Sequence, residues 1–256
     1  MKCWSVPQFE SAPSKIRVAL PACPVDAYLM MANLGWQEYL DGRKDFDCVL
    51  SIDSKVDSDV VEQLETLAWR TFSEVQIITY PTAPIPVWPN GPNWAFQQTA
   101  RYMSNSTRAW YWMESDCFPI RSGWLDVLNS EYQSCGKPMM GPIVQGMGHC
   151  NGTAIYPANF PSLSPSSMTC TDYAWDGLMY KDTIHLTHNA SHLMYHIWGV
   201  DNNRAMPTGG SPAHFRTWED VERWVDPNAV VIHRCKDASF ADRMFERLMR
   251  IKNNEI

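Results

Sequence analysis

From Lys15 to Phe118 the sequence alternates short apolar runs with segments of helical period, and that alternation restricts the chain to a small set of folds. Lys15 to Leu20 predicts a first strand. Pro21 and Pro24 interrupt it, and the apolar spacing from Ala27 to Leu40 predicts a helix. Phe46 to Ile52 predicts a second strand ending at Asp53-Ser54. Asp57 to Asp59 can cap a helix whose stripe is Val60, Val61, Leu64, Leu67 and Ala68, and Val75 to Thr79 predicts a third strand. A βαβαβ order implies parallel strands joined by crossover helices, with ligands bound at the carboxyl ends of the strands.

After a proline-rich loop, Pro81 to Pro92, a helix runs to about Met103, with Pro92 in its first turn. A fourth strand, Ala109 to Met113, follows. Further strands are expected at Pro138 to Val144, Gly152 to Tyr156 and Ala229 to Ile232, and helices at Gly123 to Tyr132, Asp172 to Tyr180, Thr217 to Val225 and Ser239 to Ile251. The expected fold class is α/β with a mostly parallel central sheet. The 256 residues suffice for one core and are read as one domain, 1–256.

The fourth strand ends in Glu114-Ser115-Asp116. Alternation along a strand would send Glu114 and Asp116 to the same side, where two carboxylates repel unless a proton or a hard divalent cation lies between them. Two exposed acids on a turn are the plainer alternative. Near the other end, the run Ala229 to Ile232 leads into His233, followed by Lys236-Asp237. Imidazole and carboxylate oxygens together suit an ion such as manganese, and Lys236 is a candidate to meet phosphates carried by it.

Composition narrows the class. With 45% hydrophobic residues and 12 tryptophans the chain is not disordered, while its longest apolar stretch, Val18 to Trp36, is broken by Pro21, Pro24 and Asp26, so no integral membrane segment is expected. The first residues, Met1-Lys2-Cys3-Trp4-Ser5, lack a signal-peptide core. The eight cysteines show no CxxC spacing and are expected as free thiols in a cytoplasmic protein, including a viral one acting in a host cytoplasm. A net charge of −7 opposes non-specific binding to polyanions, although Arg243, Arg247 and Arg250 share one face of the last expected helix. No GxSxG, GxGxxG or Walker A loop is present.

The acidic tripeptide after an apolar strand, together with His233 before Lys236-Asp237, resembles the metal-binding pattern of the GT-A glycosyltransferases, with Glu114 where that family's DxD motif has its first acid. The resemblance implies a single-domain α/β/α sandwich: residues 15–120 would form the nucleotide-sugar half, and 121–256 the acceptor half with the C-terminal metal-ligand strand. It also implies Mn2+ or Mg2+ held by Glu114, Asp116 and His233, and transfer of a sugar, in this reading a hexose from a UDP-linked donor, to an acceptor hydroxyl. Pro21, Ala22, Cys23, Asp53, Glu114, Ser115 and Lys236 are the implied donor contacts, Asp53 being equally readable as a turn residue or helix cap. Asn93, Gln97 and Arg101 lie on one helix face and either line the donor pocket or form a polar outer face. Gly146 and Gly148 match the family's glycine-rich loop, Trp175 its acceptor side, and Asp176 or Asp172 the base of an inverting reaction. The acceptor would be a glycan, a lipid head group or a hydroxymethylated base in viral DNA. A non-catalytic carbohydrate- or nucleotide-binding module and a sugar nucleotidyltransferase are the alternatives. His188, His192 and His196 recur every four residues; on a helix a pair could chelate zinc, or the segment could line an acceptor groove.

Overall fold

The computed structural model describes residues 14–143, 149–196 and 225–233. The first half of the chain supplies β1 (Arg17–Ala22), α1 (Ala27–Asp41), β2 (Lys44–Asp53), α2 (Ser58–Thr71), β3 (Phe72–Tyr80), α3 (Asn90–Met103), β4 (Trp110–Trp112) and β5 (Cys117–Pro119). The second supplies α4 (Trp124–Ser134), β6 (Met139–Gly141), β7 (Ile155–Tyr156), α5 (Phe160–Leu163), α6 (Trp175–Thr183), β8 (Thr187–Asn189), β9 (Met194–His196) and β10 (Val231–His233).

Among the described residues, seven strands form the main sheet in the order β3-β2-β1-β4-β7-β6-β8. β1 pairs in parallel with β2 and with β4, and β2 in parallel with β3, so these four carboxyl ends share one edge. β7 runs antiparallel to both β4 and β6. β1 lies inside the sheet between β2 and β4 and every one of its residues is buried, as a strand covered on both faces requires. Val18, Leu20 and Ala22 point into one core with Met30 and Leu34 of α1, Leu64 and Ala68 of α2 and Leu128 of α4. Ala19, from the opposite face, joins Phe96 of α3, Phe160 of α5 and Met179 of α6. Helices on both faces of a mostly parallel sheet make an α/β/α sandwich, as expected from the alternation of elements.

Local chemistry sets the boundaries. Asp57 caps α2 by accepting the Asp59 N–H at 2.9 Å. β3 is the sheet edge, and its exposed Ile77 accords with that position. β5, β9 and β10 form a second, three-stranded sheet in the order β5-β10-β9. None of its strands exceeds three residues, and β10 is the one that overlaps an expected strand, Ala229 to Ile232.

The structure corrects the helical option for the histidine series. His188 lies in β8 and His196 in β9, with His192 in the turn between, so the three do not share a helix face. His188 Nε2 instead contacts Glu131 Oε1 at 2.6 Å. The expected helices at 217–225 and 239–251, with Arg243, Arg247 and Arg250, lie outside the described residues except for Val225. So do Gly146, Gly148 and Lys236. Cys23, Cys48, Cys117, Cys135, Cys150 and Cys170 are free thiols. No helix among the described residues is long and apolar enough to cross a membrane.

Candidate active site

β4 ends at Trp112, before the acids begin. The Met113 N–H still donates to Ala19 O at 3.0 Å, which ties the chain to the middle of β1, and the Cys117 N–H then donates to Glu114 O at 3.0 Å. Residues 114–117 therefore form a β-turn that leads from β4 into β5. Glu114 and Asp116 are brought together by this turn, not by strand alternation as the sequence pattern suggested.

The third group arrives through the small sheet. In register, His233 of β10 lies opposite Cys117 of β5 and beside His196 of β9. Its Nε2 is thereby 3.1 Å from Glu114 Oε2 and 3.3 Å from Asp116 Oδ1. One ligand atom from each of Glu114, Asp116 and His233 lies within 4.8 Å of the others. Donor atoms in neighbouring positions around one octahedral divalent ion are about 3 Å apart, and two carboxylate oxygens with an imidazole nitrogen are hard to borderline donors. In spacing and in chemistry the residues fit Mn2+ or Mg2+.

Electrostatics point the same way. Burial alone would lower the His233 pKa, but Asp116 first and Glu114 next outweigh it and hold the ring up to about 9. A buried positive charge at Nε2 thus offsets two carboxylates, which is the service a bound cation would perform. The other ring nitrogen is also engaged. His233 Nδ1 is 3.0 Å from Asn151 Oδ1 and 2.9 Å from His196 Nδ1. An amide oxygen can only accept, so Asn151 favours a proton on Nδ1, and were a cation to displace the proton on Nε2, that nitrogen's lone pair would be free to bind it.

Beside this cluster a cleft of about 370 Å³ opens along the carboxyl ends of the strands. Pro21 and Ala22 at the end of β1 with Cys23 after it, Asp53 at the end of β2, Tyr80 at the end of β3 and Glu114, Ser115 and Asp116 after β4 all line it. Asp53 Oδ1 accepts the Lys55 N–H at 2.9 Å and the Thr82 hydroxyl at 2.5 Å. It is both a turn-former and a cleft residue.

Asp26, which the sequence did not single out, lies in the same cleft. It accepts the Cys23 N–H at 2.8 Å and the Ser115 hydroxyl at 3.2 Å. Burial raises its pKa against these hydrogen bonds, and the nearby Glu114 adds to the rise. Its signal was present: an Asp immediately before the α1 stripe is an N-cap candidate, although its side chain is turned to the cleft loop instead of to the helix.

Three other candidates occupy different places from those proposed. Asn93 and Gln97 are buried and do not line the cleft. Asn93 Nδ2 donates to Tyr173 O at 2.7 Å while its Oδ1 accepts the Trp175 N–H at 3.0 Å; Gln97 Nε2 donates to Ser167 O and Cys170 O, both at 3.0 Å; and Arg101 donates to Met168 O at 3.0 Å. All three hold the 164–175 loop. Trp175 is likewise no exposed sugar platform, since its ring is stacked on Phe96 with centroids 3.6 Å apart and only 3% of it is exposed.

These supports fix Asp176 at the start of α6. Its Oδ1 accepts the Gly177 N–H at 2.8 Å, and Oδ2 is 3.9 Å from His149 Nε2. Burial raises its pKa, His149 lowers it and Glu114 raises it again. Gly152 joins this region to the acids: a Cβ there would lie 2.7 Å from Trp175 Cζ2 and 3.5 Å from Glu114 Oε1. Asp172, by contrast, is exposed and accepts a hydrogen bond from its neighbour Thr171.

The sheet order, the covering helices and the acid-bearing turn after the fourth strand give the chain a GT-A glycosyltransferase fold. Among solved structures it is similar to the galactosyltransferase LgtC in complex with donor and acceptor sugar analogs, at 10% identity over 90% of this chain and 94% of that one, with a TM-score of 0.58. It is also similar to mouse xyloside xylosyltransferase 1 in its apo form, at 7% identity, 86% and 97% coverage and a TM-score of 0.51. Apo WbbM, a bifunctional glycosyltransferase, matches at 11% identity over 95% of this chain and 50% of that one, with a TM-score of 0.50. No protein-family model matches the chain, and no curated protein sequence does.

Proposed function

We propose that the protein is a metal-dependent glycosyltransferase that moves a sugar from a nucleotide-diphosphate donor, UDP-linked in the preferred reading, to an acceptor hydroxyl. The observation that carries this is the convergence of Glu114, Asp116 and His233 beside a cleft at the carboxyl ends of parallel strands. A divalent ion held there would neutralise charge on the departing diphosphate. Asp116, the more buried acid, is the first choice for direct coordination, with Glu114 alongside and His233 Nε2 completing the set.

The chain's own residues then divide the work. Pro21, Ala22, Cys23 and Asp53 border the space for the nucleoside, and Ser115 lines the same cleft; Lys236, outside the described residues, is proposed for the phosphates from its place in the sequence after His233. Residues 15–120 would thus form the donor half and the remainder the acceptor half. Asp176 is the candidate to take the acceptor proton, because its raised pKa suits a general base and it is near enough to Glu114 to feel its charge. A retaining reaction would not need it in that role.

The acceptor in this reading is a hydroxyl of a glycan or lipid head group. The duplex-DNA acceptor rests on Arg243, Arg247 and Arg250; salt-dependent binding to hydroxymethylated duplex would support it, and no affinity at low salt would remove it. Incubation with a panel of nucleotide sugars and Mn2+ tests the main proposal through release of nucleoside diphosphate, which chelation should stop and added Mn2+ restore. Ligand binding indifferent to Mn2+ and without turnover would indicate a binding module. Release of pyrophosphate from a nucleoside triphosphate and a sugar phosphate would indicate a nucleotidyltransferase.

A further inference from the structure

Two carboxamides, Asn33 and Gln37, lie wholly buried on the inner face of α1, one turn apart among Met30 and Leu34. Polar side chains in such a stripe cost stability unless their hydrogen bonds have a use there. Asn33 Nδ2 donates to Ser115 O at 3.1 Å and to Cys117 O at 2.6 Å. One amide group therefore grips the carbonyls on both sides of Asp116. Gln37 Nε2 donates to Asn33 Oδ1 at 2.9 Å and so fixes which end of the Asn33 amide faces the turn. Gln37 Oε1 has no hydrogen-bond partner among the described residues. Apolar side chains of similar volume would avoid that cost, but they could not hold the two carbonyls.

From this we infer that Asn33, oriented by Gln37, is a positioning residue for the metal centre, setting the direction in which Asp116 and Glu114 leave the 114–117 turn. The inference rests on the proposed metal-dependent reading, and it assigns to the back of α1 a role in cation affinity. Asn33 fixes the peptide that leads into Asp116 through Ser115 O and the peptide one residue beyond it through Cys117 O, and a rotation of the turn would swing the Asp116 carboxylate away from His233. Trp36, on the same helix, provides a comparison. Its Nε1 donates to Pro119 O at 2.6 Å, beyond the turn.

The test compares Mn2+ titrations followed by electron paramagnetic resonance, together with thermal melts, for the full chain and the variants Asn33→Ala, Gln37→Met and Trp36→Phe. Asn33→Ala should weaken Mn2+ binding by about 10-fold or more, the scale of losing a residue that orients a metal ligand, and alter the bound-Mn2+ spectrum. Trp36→Phe should lower the melting temperature while leaving the dissociation constant and spectrum unchanged. If Asn33→Ala does not fold, Gln37→Met decides, with a loss of about 3-fold or more expected. Wild-type affinity and spectrum in a folded Asn33→Ala protein, or in Gln37→Met if that variant decides, would overturn the inference. So would an equal loss of affinity in Trp36→Phe, because the effect would then follow stability alone. Failure of the wild-type chain itself to bind Mn2+ would overturn the metal reading on which the inference stands.

Discussion

His233 Nε2 lies 3.1 Å from Glu114 Oε2 although 119 positions separate the two residues in the chain. The contact is made by β10 entering between β5 and β9, with His233 level with Cys117, the residue after Asp116. Removing Asp116 or His233 should therefore act on the same cation. Asp116→Ala and His233→Ala are each expected to lower turnover by about 100-fold or more, the scale of losing an electrostatic group at a reacting centre, with Mn2+ affinity falling in parallel and the far-UV spectrum retained. Full turnover in either variant would refute the assignment.

Asn151 acts on the same imidazole from behind. With leucine at that position, nothing from residue 151 accepts the Nδ1 proton, so His233 is held less firmly in the form that would offer Nε2 to a cation. Asn151→Leu should weaken Mn2+ binding by about 10- to 100-fold. A calorimetric titration checks this, and an unchanged dissociation constant would show that the tautomer is set elsewhere.

The two candidate bases separate clearly. Asp176 is largely buried and electrostatically linked to Glu114, whereas Asp172 is exposed on the preceding loop. Asp176→Asn should reduce kcat by about 100-fold if it receives the acceptor proton, and Asp172→Asn should leave kcat and KM near wild-type values. Steady-state kinetics on both variants decide between them.

Gly152 should tolerate no side chain without cost. A methyl group there would press on the Trp175 ring, which is stacked on Phe96 and has no free direction in which to move. Gly152→Ala is expected to lose about 1–3 kcal/mol of stability through overpacking, measurable by urea unfolding, together with activity, since Trp175 adjoins Asp176.

Alkaline pH should unfold the protein through its hidden thiols. Burial raises the pKa of Cys48, Cys117 and Cys150 above the ordinary value of 9.0. Their stabilising contribution is therefore complete below pH 9 and is lost as pH rises towards the folded values, by about 1.4 kcal/mol per pH unit for each thiol. Lys44 opposes this. Burial lowers its pKa to about 8 from 10.5, so stability increases with pH across that interval by the equivalent of one proton. The urea midpoint should rise slightly from pH 8 to 9 and fall beyond it, and Cys48→Ala should flatten the fall by one proton's worth.

The first half of the fold was legible because its strands and helices are long enough to show their periods. Val60, Leu64 and Ala68 trace a buried stripe, whereas β1 runs past its expected end at Leu20, through Pro21, paired with Ser51, to Ala22. Glu114, Asp116 and His233 could be named as candidates by residue type and position after apolar runs. The roles of Asn93, Gln97 and Arg101 were not legible, because a polar helix face looks the same in sequence whether it meets solvent, a ligand or backbone carbonyls of a distant loop. Asn33 and Gln37 were hidden for the converse reason: they interrupt an apolar stripe and resemble tolerated exceptions until Ser115 O and Cys117 O are found opposite them. The run Ala229 to Ile232 announced β10, but β5 and β9 are defined by partners far along the chain, which no local pattern records.

The placement of β10 also bears on the order in which the molecule can acquire its final form. While the polypeptide is being synthesised, the turn bearing Glu114 and Asp116 emerges long before His233, and until that imidazole docks the two anions face each other with no counter-charge from this strand. Relief of that repulsion rewards correct alignment, because a one-residue slip of β10 would turn the ring to the opposite side of the small sheet. The same charges that would later grip a cation thus also help to select the native pairing of the last described strand.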